Sequence, residues 1–247
     1  MRVLEVGGAG YIGSHTVRLL NHIGHEVWVI DNLSTGHAQS VPHEQLIFGE
    51  MSDGLLLESV LRDNRIEAVI HFAAFTCVGE SVQDPAKYYQ NNISATLGLF
   101  ESMRKCSVAK FVFSSTTATY GLPEKVPTPD NTCIRDYIHV EDLATAHLAA
   151  LEKLEPGKVL QVNLGTGVGN SVLEVIEACQ RTSGHPIPVV MSPRRSGDSA
   201  ELVADCTLAK SLLGWEATYK RIDQMVETAW NWHRSCPRGY ASEARST

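Results

Sequence analysis

The chain begins with a strand that runs straight into glycines. Arg2-Val3-Leu4-Glu5-Val6 is followed by Gly7-Gly8-Ala9-Gly10-Tyr11-Ile12-Gly13. Val17, Leu20 and Ile23 then recur at helical spacing, with Gly24 as the stop. A second apolar run, His25 to Ile30, ends at Asp31, eighteen residues after Gly13. Gly7 permits a tight turn, and Gly10 lets the backbone approach a pyrophosphate. Gly13 lets the helix pack close to the strand and aim its N-terminus at the phosphates. Asp31 stands where a carboxylate accepts from both ribose hydroxyls and repels a 2′-phosphate, so the pattern predicts NAD rather than NADP. Glu5 breaks the apolar strand, because a charge inside a central parallel strand is costly unless paired.

Strand-like and helical runs alternate over the whole length. The strands expected are Val3–Val6, Glu26–Ile30, Leu46–Phe48, Ala68–His71 and Lys110–Phe113, with helices such as Gly54–Asn64 and Ala86–Lys105 between them. Alternation of this kind predicts an α/β fold, a Rossmann-type doubly wound parallel sheet with helices on both faces. The second half adds helix Glu141–Leu154, strand Lys158–Leu164, helix Ser171–Thr182, strand Ile187–Met191 and helices near Leu208–Leu213 and Ile222–His233. A Pro-rich bridge, Leu122 to Asp130, reads as a connector, so the expected division is a dinucleotide-binding domain over 1–127 and a small, reduced substrate-side region over 128–247.

The 247 residues carry a net charge of −7 without a basic stripe, which argues against a nucleic-acid partner. No apolar run reaches the length of a membrane span, and the N-terminal strand lacks the pattern of a signal peptide. The six cysteines are widely spaced, and no His/Cys cluster has metal-ligand spacing, so reduced thiols in a cytoplasmic protein and no metal are expected.

Beyond these elements, a set of motifs occurs in order. They are Asp31-Asn32-Leu33-Ser34-Thr35-Gly36, His71-Phe72-Ala73-Ala74 with Val78-Gly79-Glu80-Ser81, Tyr88-Tyr89-Gln90-Asn91-Asn92 and Phe113-Ser114-Ser115-Thr116 with Tyr120-Gly121. Next come Arg135-Asp136-Tyr137-Ile138-His139-Val140 with Asp142-Leu143-Ala144, then Asn163-Leu164-Gly165-Thr166-Gly167, Arg194-Arg195-Ser196-Gly197-Asp198 and Leu213-Gly214-Trp215. With the opening glycines, the set resembles the UDP-glucose 4-epimerases of the extended short-chain dehydrogenase/reductase group. The resemblance implies interconversion of UDP-glucose and UDP-galactose through a 4-keto intermediate, with NAD as the resident cofactor and a UDP-hexose as the substrate.

The resemblance also implies roles for particular residues. Gly7, Gly10, Tyr11, Ile12 and Gly13 form the pyrophosphate loop, and Asp31 and Asn32 contact the ribose. Glu50 and Met51 lie where the family has Asp and an aliphatic residue against the adenine. Phe72, Ala73 and Ala74 line the cofactor, and Asn91 matches a cofactor-side asparagine. Thr116 matches the catalytic Ser/Thr that hydrogen-bonds the sugar 4-hydroxyl. Arg135, Arg195 and Asp198 match residues that hold the uridine and diphosphate, a task suited to the planar guanidinium fork. Read from the residues alone, alternatives stay open. Asn91 fits a polar helix position, Thr116 a strand-end hydroxyl, and Arg135 and Arg195 fit solvated positions or ion pairs with Asp136 and Asp198.

One family element is missing. The general base of this chemistry is the tyrosine of a helical Tyr-x-x-x-Lys, whose lysine lowers the tyrosine's pKa. None of the seven tyrosines has a lysine four residues on. Only 13 residues separate Gly121 from Arg135, where the family has a long segment, so about 90 residues that include the catalytic helix are expected to be absent. Such a loss predicts impaired or absent turnover, with a catalytically dead NAD- or UDP-sugar-binding protein, or a truncated product, as the alternative. Family members dimerise through two helices on the Rossmann face, and part of that surface would be lost with the segment.

Overall fold

A computed structural model describes residues 1–120, 128–155, 157–192 and 199–240. The expected division at 127/128 falls at the edge of a stretch outside this range. By contacts the chain groups into two units, Met1–Ser114 with His147–Leu160, and Ser115–Ala146 with Gln161–Thr247.

The first unit holds a five-stranded parallel sheet in the order β3-β2-β1-β4-β5. Its strands are β1 (Arg2–Val6), β2 (Glu26–Asp31), β3 (Leu46–Phe48), β4 (Ala68–His71) and β5 (Lys110–Phe113). Val6 pairs with Ile30 on one side and His71 on the other, so β1 is central and the order reverses there. Both faces are covered, as all-parallel sheets require. On one face Leu4, Val6, Ile30 and Val69 pack with Leu57 and Leu61 of α2 (Gly54–Asp63) and Leu99 and Met103 of α5 (Thr96–Lys105). On the other, Val3, Val29 and Ile70 pack with Val17 and Leu20 of α1 (Tyr11–His22) and with Leu151. Leu151 lies on α6 (Val140–Lys153), so this helix contributes its residues from His147 onward to the first unit.

The helix expected over Ala86–Lys105 is interrupted. After short helices α3 (Val78–Gln83) and α4 (Pro85–Tyr88), a wide π-turn spans Tyr89–Ala95 before α5 begins. Turns of this kind concentrate at functional sites.

The second unit holds a small sheet of β6 (Ile134–Asp136), β7 (Gly169–Ser171) and β8 (Glu201–Leu202), in which β6 runs antiparallel to β7 and parallel to β8. Helix α7 (Val172–Ser183) starts with a reciprocal cap between Ser171 and Glu174, stops at Gly184 in the left-handed conformation, and packs on α8 (Ile222–Ser235). Two expected strands do not form. Lys158–Leu164 and Ile187–Met191 are irregular, and Val159 and Val190 are exposed. Strand propensity alone does not make a strand, because the backbone groups need a neighbouring ladder. Neither segment has one among the described residues, and β5 is an edge strand.

Candidate functional site

Val6 delivers the chain to Gly7, whose φ of +81° favours glycine. Its amide donates to Ile30 O at 2.8 Å, tying the turn to β2. A Cβ on Gly7 would lie 2.7 Å from Ala73 N, because the segment leaving β4 crosses the turn. A Cβ on Gly13 would lie 2.6 Å from Gly8 Cα, so α1 starts against the turn. Gly10 caps that helix without a side-chain hydrogen bond, which leaves the first-turn amides available to an anion.

Asp31 closes β2 and is buried. Its Oδ2 accepts from Ala9 N at 3.0 Å and its Oδ1 from Leu33 N at 2.8 Å. An ionised carboxylate has about four acceptor sites, so two hydrogen bonds leave room for two more. Asn32 donates to Glu50 Oε2 at 3.1 Å, joining the ends of β2 and β3. Beyond β4, Asn92 grips the backbone of Phe75, accepting from its N–H and donating to its carbonyl, both at 2.9 Å. Asn91 donates to Asn92 Oδ1 at 2.9 Å and to Ala73 O at 3.4 Å.

These groups surround one cleft at the carboxyl ends of the strands, where the strand order reverses. Gly7, Gly10, Asp31, Asn32, Glu50, Met51, Phe72, Ala73, Ala74 and Asn91 all line it, all of them expected from the sequence. Such a crevice is where open α/β sheets bind ligands. Tyr11, Ile12 and Gly13 are not among its lining residues. Tyr11 is exposed and meets His15 edge-on with ring centroids 5.6 Å apart, and Gly13 is buried against the turn. Ser34, Thr35 and Phe75 also line the cleft, although no role was read for them. The cradle that a Gly7 Cβ would fill, the uncapped helix start and the carboxylate at the end of β2 together fit a dinucleotide.

In the second unit, Thr116 is exposed, and its carbonyl accepts from Thr119 Oγ1 at 3.0 Å. Arg135 does not pair with Asp136. Its Nη1 donates to Ile134 O at 2.8 Å, and Asp136 instead accepts from Thr166 N, Thr166 Oγ1, Gly167 N and Ala204 N. Arg195 and Asp198 lie outside the described residues. No group of three metal-ligating side chains occurs among the described residues.

Four tyrosines are shifted away from acting as a base. Burial raises Tyr11 and Tyr137, and the hydrogen bond to Glu141 raises Tyr219. Tyr88 is pushed up to about 12 by desolvation and by its hydrogen bond to Glu80. A general base at neutral pH needs the opposite shift.

Residues 3–133 and 126–165 match the NAD dependent epimerase/dehydratase family. The UDP-glucose 4-epimerase of Halalkalibacterium halodurans is 37% identical over 329 residues, covering 98% of this chain and 98% of that protein. The aligned stretch is thus longer than this chain of 247 residues. A crystal structure of UDP-glucose 4-epimerase from Bifidobacterium longum in complex with NAD+ and UDP superposes with a TM-score of 0.91 at 31% identity, covering 97% of this chain and all of that one. The Brucella ovis enzyme in complex with NAD gives 0.86 at 35% identity, covering 91% and 96%.

Proposed function

Because the chain belongs to the NAD dependent epimerase/dehydratase family, we propose that it holds NAD in the cleft of its first unit and descends from UDP-glucose 4-epimerases whose turnover it has lost or retains only weakly. The observation that carries this is the convergence of the Gly7 turn, the uncapped start of α1 and Asp31 on one cleft. In that cleft the Gly7–Gly13 loop takes the pyrophosphate, and Asp31 offers its two remaining acceptor sites to ribose hydroxyls. Glu50 and Met51 line the adenine side, and Phe72, Ala73, Ala74 and Asn91 line the opposite wall. NAD, when bound, supplies a hydride acceptor.

The second unit is read as what remains of a UDP-hexose site. Thr116 offers a hydroxyl to the sugar 4-hydroxyl, and Arg135 offers a guanidinium with no carboxylate partner among the described residues. Arg195 and Asp198 complete this set by resemblance. Proton removal from the 4-hydroxyl is the step left without a residue. Loss of a general base alone lowers rates about 10²- to 10⁴-fold. An internal block missing between Gly121 and Arg135 is supported by the 329-residue alignment and by a family match that comes in two pieces, 3–133 and 126–165, meeting just before Arg135.

Two measurements on purified protein test this. Nucleotide released by denaturation should contain NAD in near one-to-one ratio, and a coupled assay with UDP-galactose should show little or no UDP-glucose. Absence of NAD, with no thermal shift on adding it, would overturn the binding reading. Full epimerase turnover abolished by Thr116→Val would overturn the reading of lost catalysis.

A further inference from the structure

One wall of the cleft is held from behind by a buried histidine. His71 ends β4 and is 1% exposed, and its Nε2 lies 3.1 Å from Met51 Sδ and 3.3 Å from Thr96 Oγ1. The hydroxyl proton of Thr96 goes to Asn92 O at 2.9 Å, so toward His71 the Thr96 oxygen accepts. That assigns the tautomer. The ring hydrogen is on Nε2, directed between the thioether and the hydroxyl oxygen, and Nδ1 is the bare, buried nitrogen, with no hydrogen-bond partner among the described residues. Desolvation lowers the His71 pKa to about 4, so the ring is neutral at physiological pH. Phe111 and Phe113 meet it edge-on at 6.1 and 5.2 Å and fix its plane.

Met51 is buried in the core beneath the sheet and is also among the residues that line the cleft. Methionine has three rotatable bonds and adapts to whatever surrounds it, which makes it a poor wall for a rigid ligand unless something holds it. An aliphatic residue at this position would offer His71 no acceptor, so the contact depends on the sulfur this chain carries. We propose that His71 is a positioning residue for the dinucleotide site, holding the Met51 thioether in the conformation that shapes the cleft wall. The inference rests on the reading that this cleft holds NAD.

The test is NAD titration by calorimetry on nucleotide-free protein, with thermal melts alongside. Met51→Leu keeps the apolar volume and removes the acceptor, and it should weaken NAD roughly three- to tenfold with little change in melting temperature. His71→Leu should weaken binding similarly, and combining it with Met51→Leu should add little, because both remove the same contact. His71→Gln places an amide N–H near the Nε2 position and should recover most of the affinity, which a residue needed only for packing would not do. Wild-type affinity in Met51→Leu overturns the inference, as does His71→Gln binding as poorly as His71→Leu. Should His71→Leu fail to fold, Met51→Leu still decides, and His71→Gln is compared with the wild type, whose affinity it should nearly match. If the wild-type chain binds no NAD, the reading of the cleft itself fails, a result distinct from either.

Discussion

Replacing Glu5 should stabilise this protein. Glu5 sits in the central strand with Val29 and Ile70 as its neighbours in register, fully buried, and neither carboxyl oxygen has a hydrogen-bond partner among the described residues. Its face of the sheet is covered by Val17 and Leu20 of α1 and by Leu151 of α6. The buried residues of α1 bring no titratable group there, and α6 brings His147, whose ring lies 4.8 Å from that of Phe72. Burial raises the Glu5 pKa well above its ordinary 4.5, so the side chain keeps its proton in the folded state. A neutral polar group buried without a partner costs about 1–3 kcal/mol. Glu5→Met, of similar size and without the orphaned oxygens, should therefore add about 2 kcal/mol, or roughly 4–8 °C in Tm for a chain of this length. The pH dependence has a defined sign. Because the folded value is the higher one, the stability tied to the bound proton is fully present below about 4.5 and is lost as pH rises through the folded pKa. Exposed, paired carboxylates such as Glu216, held down to about 2 by Lys220 and Lys210, act in the opposite direction, so the useful quantity is a difference. Melting curves of wild type and Glu5→Gln between pH 5 and 9 should diverge with rising pH, the wild type falling faster. Parallel curves, or a lower Tm for Glu5→Met, would refute the claim that Glu5 is protonated and unpartnered.

Gly7→Ala should abolish NAD uptake and lower Tm by several degrees, because its Cβ would overlap Ala73 at a φ that L-residues disfavour; an unchanged titration would contradict the geometry. Asp31→Asn keeps one acceptor oxygen but loses the charge and the other oxygen, leaving an NH2 against Ala9 N or Leu33 N, so NAD binding should weaken by about tenfold or more, read by calorimetry. Asn92→Ala frees the Phe75 backbone on the cleft wall and should weaken NAD by roughly three- to tenfold, with increased amide exchange at Ala73–Phe75 as the independent readout.

The parallel sheet was legible because its strands are short apolar runs between helical stretches, and Leu46–Phe48, Ala68–His71 and Lys110–Phe113 form with the boundaries expected. Of the ten expected residues that line the cleft, Gly7, Gly10 and Asp31 were legible from the spacing that a dinucleotide requires, and Asn32, Glu50, Met51, Phe72, Ala73, Ala74 and Asn91 only from the resemblance to the epimerases. The wide turn at Tyr89–Ala95 was not, since its residues read as ordinary helix, and the side chains of Asn91 and Asn92 reach groups 17 or 18 positions away. Nor was the contact of His71 with Met51, which joins residues 20 apart in sequence. Lys158–Leu164 and Ile187–Met191 have strand-like composition, and composition does not report whether a neighbouring strand exists to pair with.

The central claim is that the cleft at the ends of β1, β2 and β4 holds NAD. Calorimetric titration of the nucleotide-free chain with NAD tests it most directly. One NAD per chain is predicted, with binding lost in Gly7→Ala; no heat of binding by a wild-type chain that melts cooperatively would contradict it.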